Sequence, residues 1–215
     1  MKSLLLGILV IVLAGFGGLV YRNAVEHPLQ PIACPLDALV CPDGTAVSRT
    51  GPSCAFPACP PPNVSLADVG IAFAAPPGFV EAQFPDAASV AAYALLPTAS
   101  STNNALIIVR RYAIAASSTP LATIRETAIG GASGLPASVT AYSSTVLGVH
   151  RFTVVALERF EGVVDTAYYL ARTADVLRFD AIDTGVLDWM DPTFEPSSLP
   201  AHAALRKFLS TLQGG

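Results

Sequence analysis

Apolar and polar positions divide the chain into three stretches with different patterns. From Ser3 to Tyr21 the sequence is uncharged for 19 residues and almost wholly apolar. A stretch rich in cysteine and proline follows over 30–62. From 65 to 213, short apolar runs are separated by turn residues, which is the pattern of successive β-strands. The sequence therefore predicts an N-terminal helix, a small cysteine module and one globular domain.

The apolar run predicts a signal-anchor transmembrane helix over 1–22. A helix rises ~1.5 Å per residue, so a run of this length just crosses a hydrocarbon core of ~30 Å. Lys2 precedes the run and Arg22 follows it, a weak charge bias that favours an N-terminus in the cytoplasm. A cleaved secretory signal has the same apolar core, although the Ala-x-Ala cleavage spacing is absent. Either way, the rest of the chain is expected outside the cytoplasm, at the cell membrane if anchored and secreted if cleaved.

The segment 65–213 predicts an α+β domain, with an antiparallel sheet packed with one or two helices. Strand-like runs follow one another mostly without helices between them, which favours antiparallel pairing. The predicted strands are Val69–Ala74, Val90–Leu96, Leu106–Tyr112, Ser138–Ser143, Val149–Glu158, Val163–Arg172 and Val176–Asp183. A helix is predicted from the cap Thr119 and Pro120 to a stop at Gly130-Gly131.

The clearest helical pattern lies at the C-terminal end of this domain. Ser198 is the predicted cap, and Arg206 and Lys207 are expected to point towards water. One apolar stripe at helical spacing is formed by Leu205, Phe208, Leu209 and Leu212. This helix is predicted to pack across one face of the sheet.

Composition restricts the class of partner. Charged residues make up 13% of the chain and apolar residues 52%, so the chain has enough apolar surface to form a core and is not expected to be disordered. The net charge is −4, and no run is rich in lysine and arginine. A nucleic-acid partner is therefore not expected.

The cysteines lie close together in sequence, which indicates one small cross-linked module. They are Cys34, Cys41, Cys54 and Cys59. Two disulfides are the preferred interpretation, because zinc modules usually present Cys-x2-Cys pairs and this segment has none. Four cysteines allow three pairings, and the sequence does not choose among them. Prolines at 57 and 60–62 predict a stiff connection to the globular domain.

Two motifs of the cysteine module carry resemblances to known proteins. Cys41-Pro42-Asp43-Gly44 and the segment from Arg49 to Phe56 resemble a cysteine-rich motif of uncharacterised bacterial envelope proteins. In those proteins the motif typically follows a membrane segment and precedes a separate globular domain. The Asp-Gly-Thr turn beside a cysteine is also similar to Kazal-type protease inhibitors, which implies a protease-contacting position at Leu36, although two of the usual six cysteines are absent.

The globular domain resembles the Mog1/PsbP-like class of α+β sandwiches. The similarity lies in the segment from Gly70 to Phe79, a strand followed by Pro-Gly-aromatic, and in the late strand pair around Tyr168 and Phe179 before the terminal helix. Members of that class are mostly accessory or binding proteins, and the resemblance implies no catalytic residues.

The sequence contains only weak candidates for catalytic patterns. Gly131-Ala132-Ser133-Gly134 departs from the nucleophile elbow and is interpreted as a loop. His150 and His202 have no partner nearby in sequence and are expected at the surface. The acidic segment 175–195 could supply oxygen ligands to a hard cation, with the weak candidates Asp180, Asp183 and Asp188. A solvated acidic loop anchored by Trp189 is the preferred interpretation, and no cofactor is expected.

These features predict an extracytoplasmic accessory or binding protein held at the membrane by its N-terminal helix, with an envelope protein or a glycan as partner. One alternative is a metal-assisted hydrolase that uses the acidic segment 175–195. Another is Kazal-like protease inhibition by the cysteine module.

Overall fold

The computed structural model of the chain describes residues 2–26, 33–41, 45–96 and 104–215. The predicted turn at Asp43-Gly44 lies outside these residues. The chain divides into two compact units, one formed by 1–39 with 47–57 and the other by 40–46 with 58–215. Within the described part of the chain, no helix is both long and apolar enough to cross a membrane.

Three α-helices and twelve β-strands lie within the described residues. The helices are α1 (Lys2–Glu26), α2 (Pro120–Thr127) and α3 (Pro200–Ser210). The strands are β1 (Ala38–Val40), β2 (Ala46–Ser48), β3 (Val64–Leu66), β4 (Ile71–Phe73), β5 (Phe79–Glu81), β6 (Ser89–Leu95), β7 (Asn104–Ala113), β8 (Tyr142–Leu147), β9 (His150–Phe160), β10 (Val163–Ala171), β11 (Asp175–Thr184) and β12 (Gln213–Gly214).

The main sheet has seven strands in the order β5-β6-β7-β11-β10-β9-β8, and every neighbouring pair is antiparallel. A second sheet has the order β12-β4-β3, and β1 pairs with β2. The α+β prediction with an antiparallel sheet is therefore confirmed. The turn at Glu161-Gly162 joins β9 to β10, and both residues have a positive φ, as a tight hairpin turn requires.

The main core lies between the large sheet and α3. Aromatic rings from three elements meet there, with the ring centroids of Phe73 and Phe208 4.0 Å apart and those of Phe179 and Phe208 5.8 Å apart. The predicted stripe of α3 is confirmed, since Leu205, Phe208, Leu209 and Leu212 are all buried. Arg206 and Lys207 are exposed, as the helical spacing requires.

The opposite face of the large sheet is covered in part by α2. Thr119 caps this helix by accepting a hydrogen bond from the Ala122 amide, and Pro120 occupies the first turn, as predicted. The helix ends at Thr127 rather than at the predicted stop Gly130-Gly131. The prediction was wrong there because Ala128 leaves helical geometry and bonds back to Ile124, two residues before the first glycine.

The predicted strand at Ser138–Ser143 also needs correction. A 3₁₀ turn occupies Val139–Ala141, and the strand runs from Tyr142 to Leu147. Ser138 caps that turn with its hydroxyl, which accepts a hydrogen bond from the Thr140 amide. Local side-chain bonding of this kind competes with the strand conformation.

Candidate functional site

The acidic segment 175–195 does not gather into a metal site. Asp180 and Asp183 both lie on β11, but an odd spacing in a strand places their side chains on opposite faces of the sheet. Asp188 lies beyond the strand and is exposed. No group of three histidine, cysteine or acidic residues within the described ranges is placed to hold a metal ion. The expected solvated loop is wrong for the buried residues Asp175, Asp180 and Asp183, because they belong to a central strand.

On the sheet face that α2 covers, Asp180 lies in a charged network. Its carboxylate, which is fully buried, accepts hydrogen bonds from Arg178 and from Arg110. Arg110 also donates to Asp86 at 2.7 Å, and Arg178 donates to the carbonyl of Thr127 at the end of α2. Each charge is therefore compensated inside the fold, and the network connects β7, β11 and α2.

Asp165 lies on the same face without such compensation. It is 2% exposed, and its Oδ1 atom has no hydrogen-bond partner in the described part of the chain. Burial raises the pKa of Asp165 well above its usual value, and the charge of Asp180 raises it further, while Arg178 opposes the shift. The carboxyl is held in a setting that favours its neutral form.

On the other face, Asp183, His202 and Thr166 form a hydrogen-bonded relay. His202 Nδ1 lies 2.7 Å from Asp183 Oδ2, and His202 Nε2 lies 3.0 Å from Thr166 Oγ1. The expectation of a surface imidazole is wrong, since His202 is 2% exposed and packs between α3 and the sheet. Asp183 Oδ1 also accepts from the Ala201 amide at 3.1 Å, so this carboxylate caps the start of α3 in place of the predicted Ser198.

The relay has the chemical order of an activated hydroxyl nucleophile, with Thr166 as the hydroxyl, His202 as the base and Asp183 as the group that orients it. Thr166 lines neither of the two larger clefts on the described surface, which have volumes of about 760 Å³ and 680 Å³. The relay instead fixes the position of α3 on β10 and β11.

A third cluster of charged residues lies at the start of β11, around its first residue, Asp175. Asp175 accepts hydrogen bonds from Arg172 at 2.5 Å and 2.7 Å and from Arg111 at 2.6 Å. The hydrogen bonds from Arg172 lower the pKa of Asp175 most, and Arg111 lowers it further against the opposing effect of burial. Arg172 also donates to the carbonyl of Val69 at 2.6 Å, so the cluster holds the segment before β4.

The loop 130–134 binds the carboxylate of Glu158. The amides of Ala132 and Ser133 donate to its two oxygens at 2.8 Å and 2.9 Å. Burial raises the pKa of Glu158, but the hydrogen bond with the Ser133 side chain and those from the two amides together lower it below its usual value. A Cβ on Gly130 would overlap this carboxylate, so an alanine there would force the Glu158 side chain to shift. No sequence motif pointed to Glu158, because its contact with the loop joins residues about 25 positions apart.

The surface carries several shallow clefts. One of about 760 Å³ is lined in part by His150, Arg172 and Thr173. His150, the first residue of β9, is half-buried, and its Nε2 has no hydrogen-bond partner in the described structure. Another cleft, of about 680 Å³, is lined in part by the prolines 60–62 and by Val149. Arg172 in the first cleft is already bound to Asp175, so neither cleft gathers several uncommitted polar groups.

The edges of the sheets differ in length. Strand β8 forms one edge of the large sheet and is six residues long, while β5 at the other edge has three. The edges of the smaller sheet, β3 and β12, have three and two residues. Natural sheets protect their edges with short strands, charges, prolines or bulges. Strand β8 reads Tyr-Ser-Ser-Thr-Val-Leu, pairs with β9 in unbroken register, and has none of these protections.

The orientation of the backbone groups of β8 follows from the hairpin that joins it to β9. A two-residue turn, Gly148-Val149, connects the paired residues Leu147 and His150, so this pair is hydrogen-bonded. Hydrogen-bonded and non-hydrogen-bonded pairs alternate along an antiparallel ladder. The residues whose amide and carbonyl groups point away from β9 are therefore Tyr142, Ser144 and Val146.

The cysteine module contains the two predicted disulfides. Their pairing is Cys34–Cys54 and Cys41–Cys59, with Cα–Cα distances of 5.3 Å and 5.6 Å. All four cysteines are engaged, so the zinc alternative is not supported.

The segment that follows Cys34 exposes the side chain of Leu36 and is fixed by contacts on both sides of that residue. Arg49 donates to Asp37 at 2.7 Å and to the carbonyl of Cys54 at 3.0 Å, and it stacks on the ring of Phe56 at 4.1 Å. Leu36 lies between the disulfide and this contact and is fully exposed.

Comparison with known proteins assigns no relationship. No family model matches the chain. No curated protein matches it at a significant level of similarity.

Proposed function

We propose that this chain is an extracytoplasmic binding protein whose sheet domain accepts an extended segment of a partner protein as an additional strand on β8. The observation that carries this proposal is the outward-facing backbone of Tyr142, Ser144 and Val146 on the longest sheet edge. Backbone hydrogen bonds would supply affinity, and the side chains beside them would supply selectivity.

The buried charged side chains are engaged with one another, which supports a binding role rather than a catalytic one. Arg110 and Arg178 are committed to Asp180, Arg172 is committed to Asp175, and His202 is held between two partners. These groups stabilise the sheet and its helices. A metal-assisted hydrolase needs converging carboxylates, and the acidic residues of 175–195 lie on different faces.

The disulfides support an oxidising compartment, because such bonds persist mainly outside the cytoplasm. The finer proposal, that α1 holds the chain at a membrane, rests on its uncharged sequence. A reporter enzyme active only outside the cytoplasm, fused after Gly215, should be active. Carbonate extraction should then leave the chain with the membrane fraction if the helix anchors it, and release it if not.

Likeness of the domain to the Mog1/PsbP class remains a proposal that rests on the order of its elements, an early strand with a Pro-Gly turn and a late strand pair before a terminal helix. This likeness in the order of elements favours an accessory role over a catalytic one.

The strand-addition proposal is tested with two variants of one residue. Ser144→Pro removes an amide that points away from β9, so it should leave the domain folded while blocking an incoming strand. Ser144→Ala keeps the amide and is the matched control. The probe is a capped heptapeptide of alternating threonine and valine with a central glutamine, titrated into the full chain while amide shifts are followed. The parent and Ser144→Ala should bind it and Ser144→Pro should not. Equal binding by all three, or no binding by the parent, would reject strand addition.

A second candidate function is protease inhibition by the cysteine module, which the exposure of Leu36 favours. An apolar side chain that projects from a segment fixed on both sides has little conformational entropy to lose on entering a pocket. The clamp is formed by Cys34–Cys54 and by the contact of Arg49 with Asp37.

The inhibition candidate is tested with the full chain against serine proteases whose primary pockets prefer leucine or lysine. The parent should slow the leucine-preferring enzyme, and Leu36→Lys should transfer inhibition to the lysine-preferring one. Leu39→Ala, a change at another exposed apolar position, is the control and should have no effect. If no protease of either kind is slowed, this candidate is wrong.

A further inference from the structure

Arg151 on β9 carries a positive charge one strand in from the exposed edge β8. Arg151 pairs with Val146 of β8, and opposite residues of an antiparallel pair project to the same face. Arg151 is exposed and makes no ion pair with any residue that the structure describes. Val146 is 54% exposed and is too short to cover the guanidinium. The edge therefore has an uncompensated positive charge beside it on one face.

A strand added to β8 would bring its own side chains within reach of that charge. Adjacent strands are ~4.8 Å apart, so the residue beside Val146 on the incoming strand would lie ~9.6 Å from Arg151 between Cα atoms. The side chains of arginine and glutamate together span that distance across a single valine.

We infer that the partner's strand presents a glutamate beside Val146, where its carboxylate pairs with Arg151. This inference rests on the proposed strand addition and names the chemistry of the strand that β8 selects. An aspartate is shorter by one methylene and fits less well. The partner residue two positions from the glutamate lies beside Ser144. Because Ser144 is small, this position of the incoming strand favours a threonine or valine.

A second copy of this chain fits the edge less well. Strand β8 contains no acidic residue, so pairing two copies of β8 would leave both Arg151 side chains uncompensated. A stable dimer commonly buries ~1,600 Å² in total, and a contact limited to six residues on each side provides little towards that area. Charge complementarity therefore selects an acidic extended segment of another protein.

The test compares two heptapeptides that differ at one position, Thr-Val-Thr-Glu-Thr-Val-Thr and the same peptide with glutamine in place of glutamate. Both are titrated into the full chain and its variants at low and high salt. The parent should bind the glutamate peptide about twofold to fivefold more tightly, the range of an exposed ion pair. High salt should remove the difference.

Charge reversal provides the second arm. Arg151→Glu should abolish the preference for glutamate and should favour a third peptide with a central lysine. Arg125→Glu on α2 changes the net charge equally at an exposed position far along the chain and should leave the preference unchanged.

The outcomes separate this inference from the proposed function. If both peptides bind equally and Arg151→Glu changes nothing, strand addition stands and the acidic partner is wrong. If neither peptide binds, strand addition itself fails. If the free chain sediments as a dimer that Ser144→Pro dissociates, the occupant of β8 is a second copy, which also overturns the inference.

Discussion

The carboxylate of Asp183 joins the large sheet to the terminal helix through His202, whose Nδ1 lies 2.7 Å away. Its second oxygen accepts the Ala201 amide at 3.1 Å, so one buried side chain from β11 satisfies both a histidine and the start of α3. The helix has no side-chain cap of its own. The packing of α3 against the aromatic core therefore depends on a residue 17 positions before the helix begins.

Replacing Asp183 should destabilise the domain. Asp183→Ala leaves the imidazole of His202 and the Ala201 amide without their acceptor, and we expect the free energy of unfolding to fall by about 3 kcal/mol. Asp188→Ala removes an exposed carboxylate from the same acidic segment and should change it by less than about 0.5 kcal/mol. Urea unfolding of the full chain measures both. Equal effects would show that Asp183 does not hold the helix.

The buried carboxyl of Asp165 should limit stability at neutral pH. The folded state raises its pKa, so the free energy of unfolding falls as the pH rises from the unfolded pKa, about 3.9, through the folded value. Asp165→Asn removes this penalty and should be more stable than the parent at pH 7 by about 1–3 kcal/mol. The gain should disappear near pH 4. An asparagine variant that is less stable than the parent at pH 7 would contradict this assignment.

The loop 130–134, which binds the carboxylate of Glu158, contains two adjacent glycines whose replacement by alanine should affect stability differently. Gly130→Ala places a methyl group against the carboxylate that the loop binds, whereas a Cβ at Gly131 meets no atom within 4 Å. We expect Gly130→Ala to lower the free energy of unfolding by about 1–3 kcal/mol and Gly131→Ala to change it by less than about 0.5 kcal/mol. Thermal unfolding of both variants checks this. Equal melting temperatures would show that Glu158 does not occupy the loop.

The disulfide pairing can be read directly. Proteolysis of the unreduced chain followed by mass spectrometry should yield peptides that join Cys34 to Cys54 and Cys41 to Cys59. The closed loops span 20 and 18 residues, and loss of one bond should cost about 3 kcal/mol of module stability. Four free thiols in freshly purified protein would remove the basis for an extracytoplasmic location.

The sequence pattern predicted the elements that are determined by residues close together in the chain. The stripe on α3, the cap at Thr119 and the central strands follow from spacing and turn residues alone. Strands β1, β2, β3, β5 and β12 were not predicted, because segments of two or three residues carry little periodicity and are defined by their partners. Strand β4 is equally short but was predicted as part of the apolar run Val69–Ala74.

The partners of the charged residues could not be predicted from the local sequence pattern. A strand pattern shows that Asp180 and Asp183 face opposite sides of a sheet, but not that Arg110 lies beside one and His202 beside the other. Those contacts join residues 70 and 19 positions apart. The exposed edge of β8 was likewise unpredictable, since strand order depends on the whole topology.

Amide hydrogen exchange along β8 tests strand addition most directly. In the free chain, the outward amides of Ser144 and Val146 should exchange rapidly, while those of Ser143 and Thr145, bonded to β9, should be protected. Saturation with the glutamate heptapeptide should slow exchange at Ser144 and Val146 and leave Ser143 and Thr145 unchanged. Slow exchange at all four residues before the peptide is added, or no change at Ser144 and Val146 at saturation, would contradict the account.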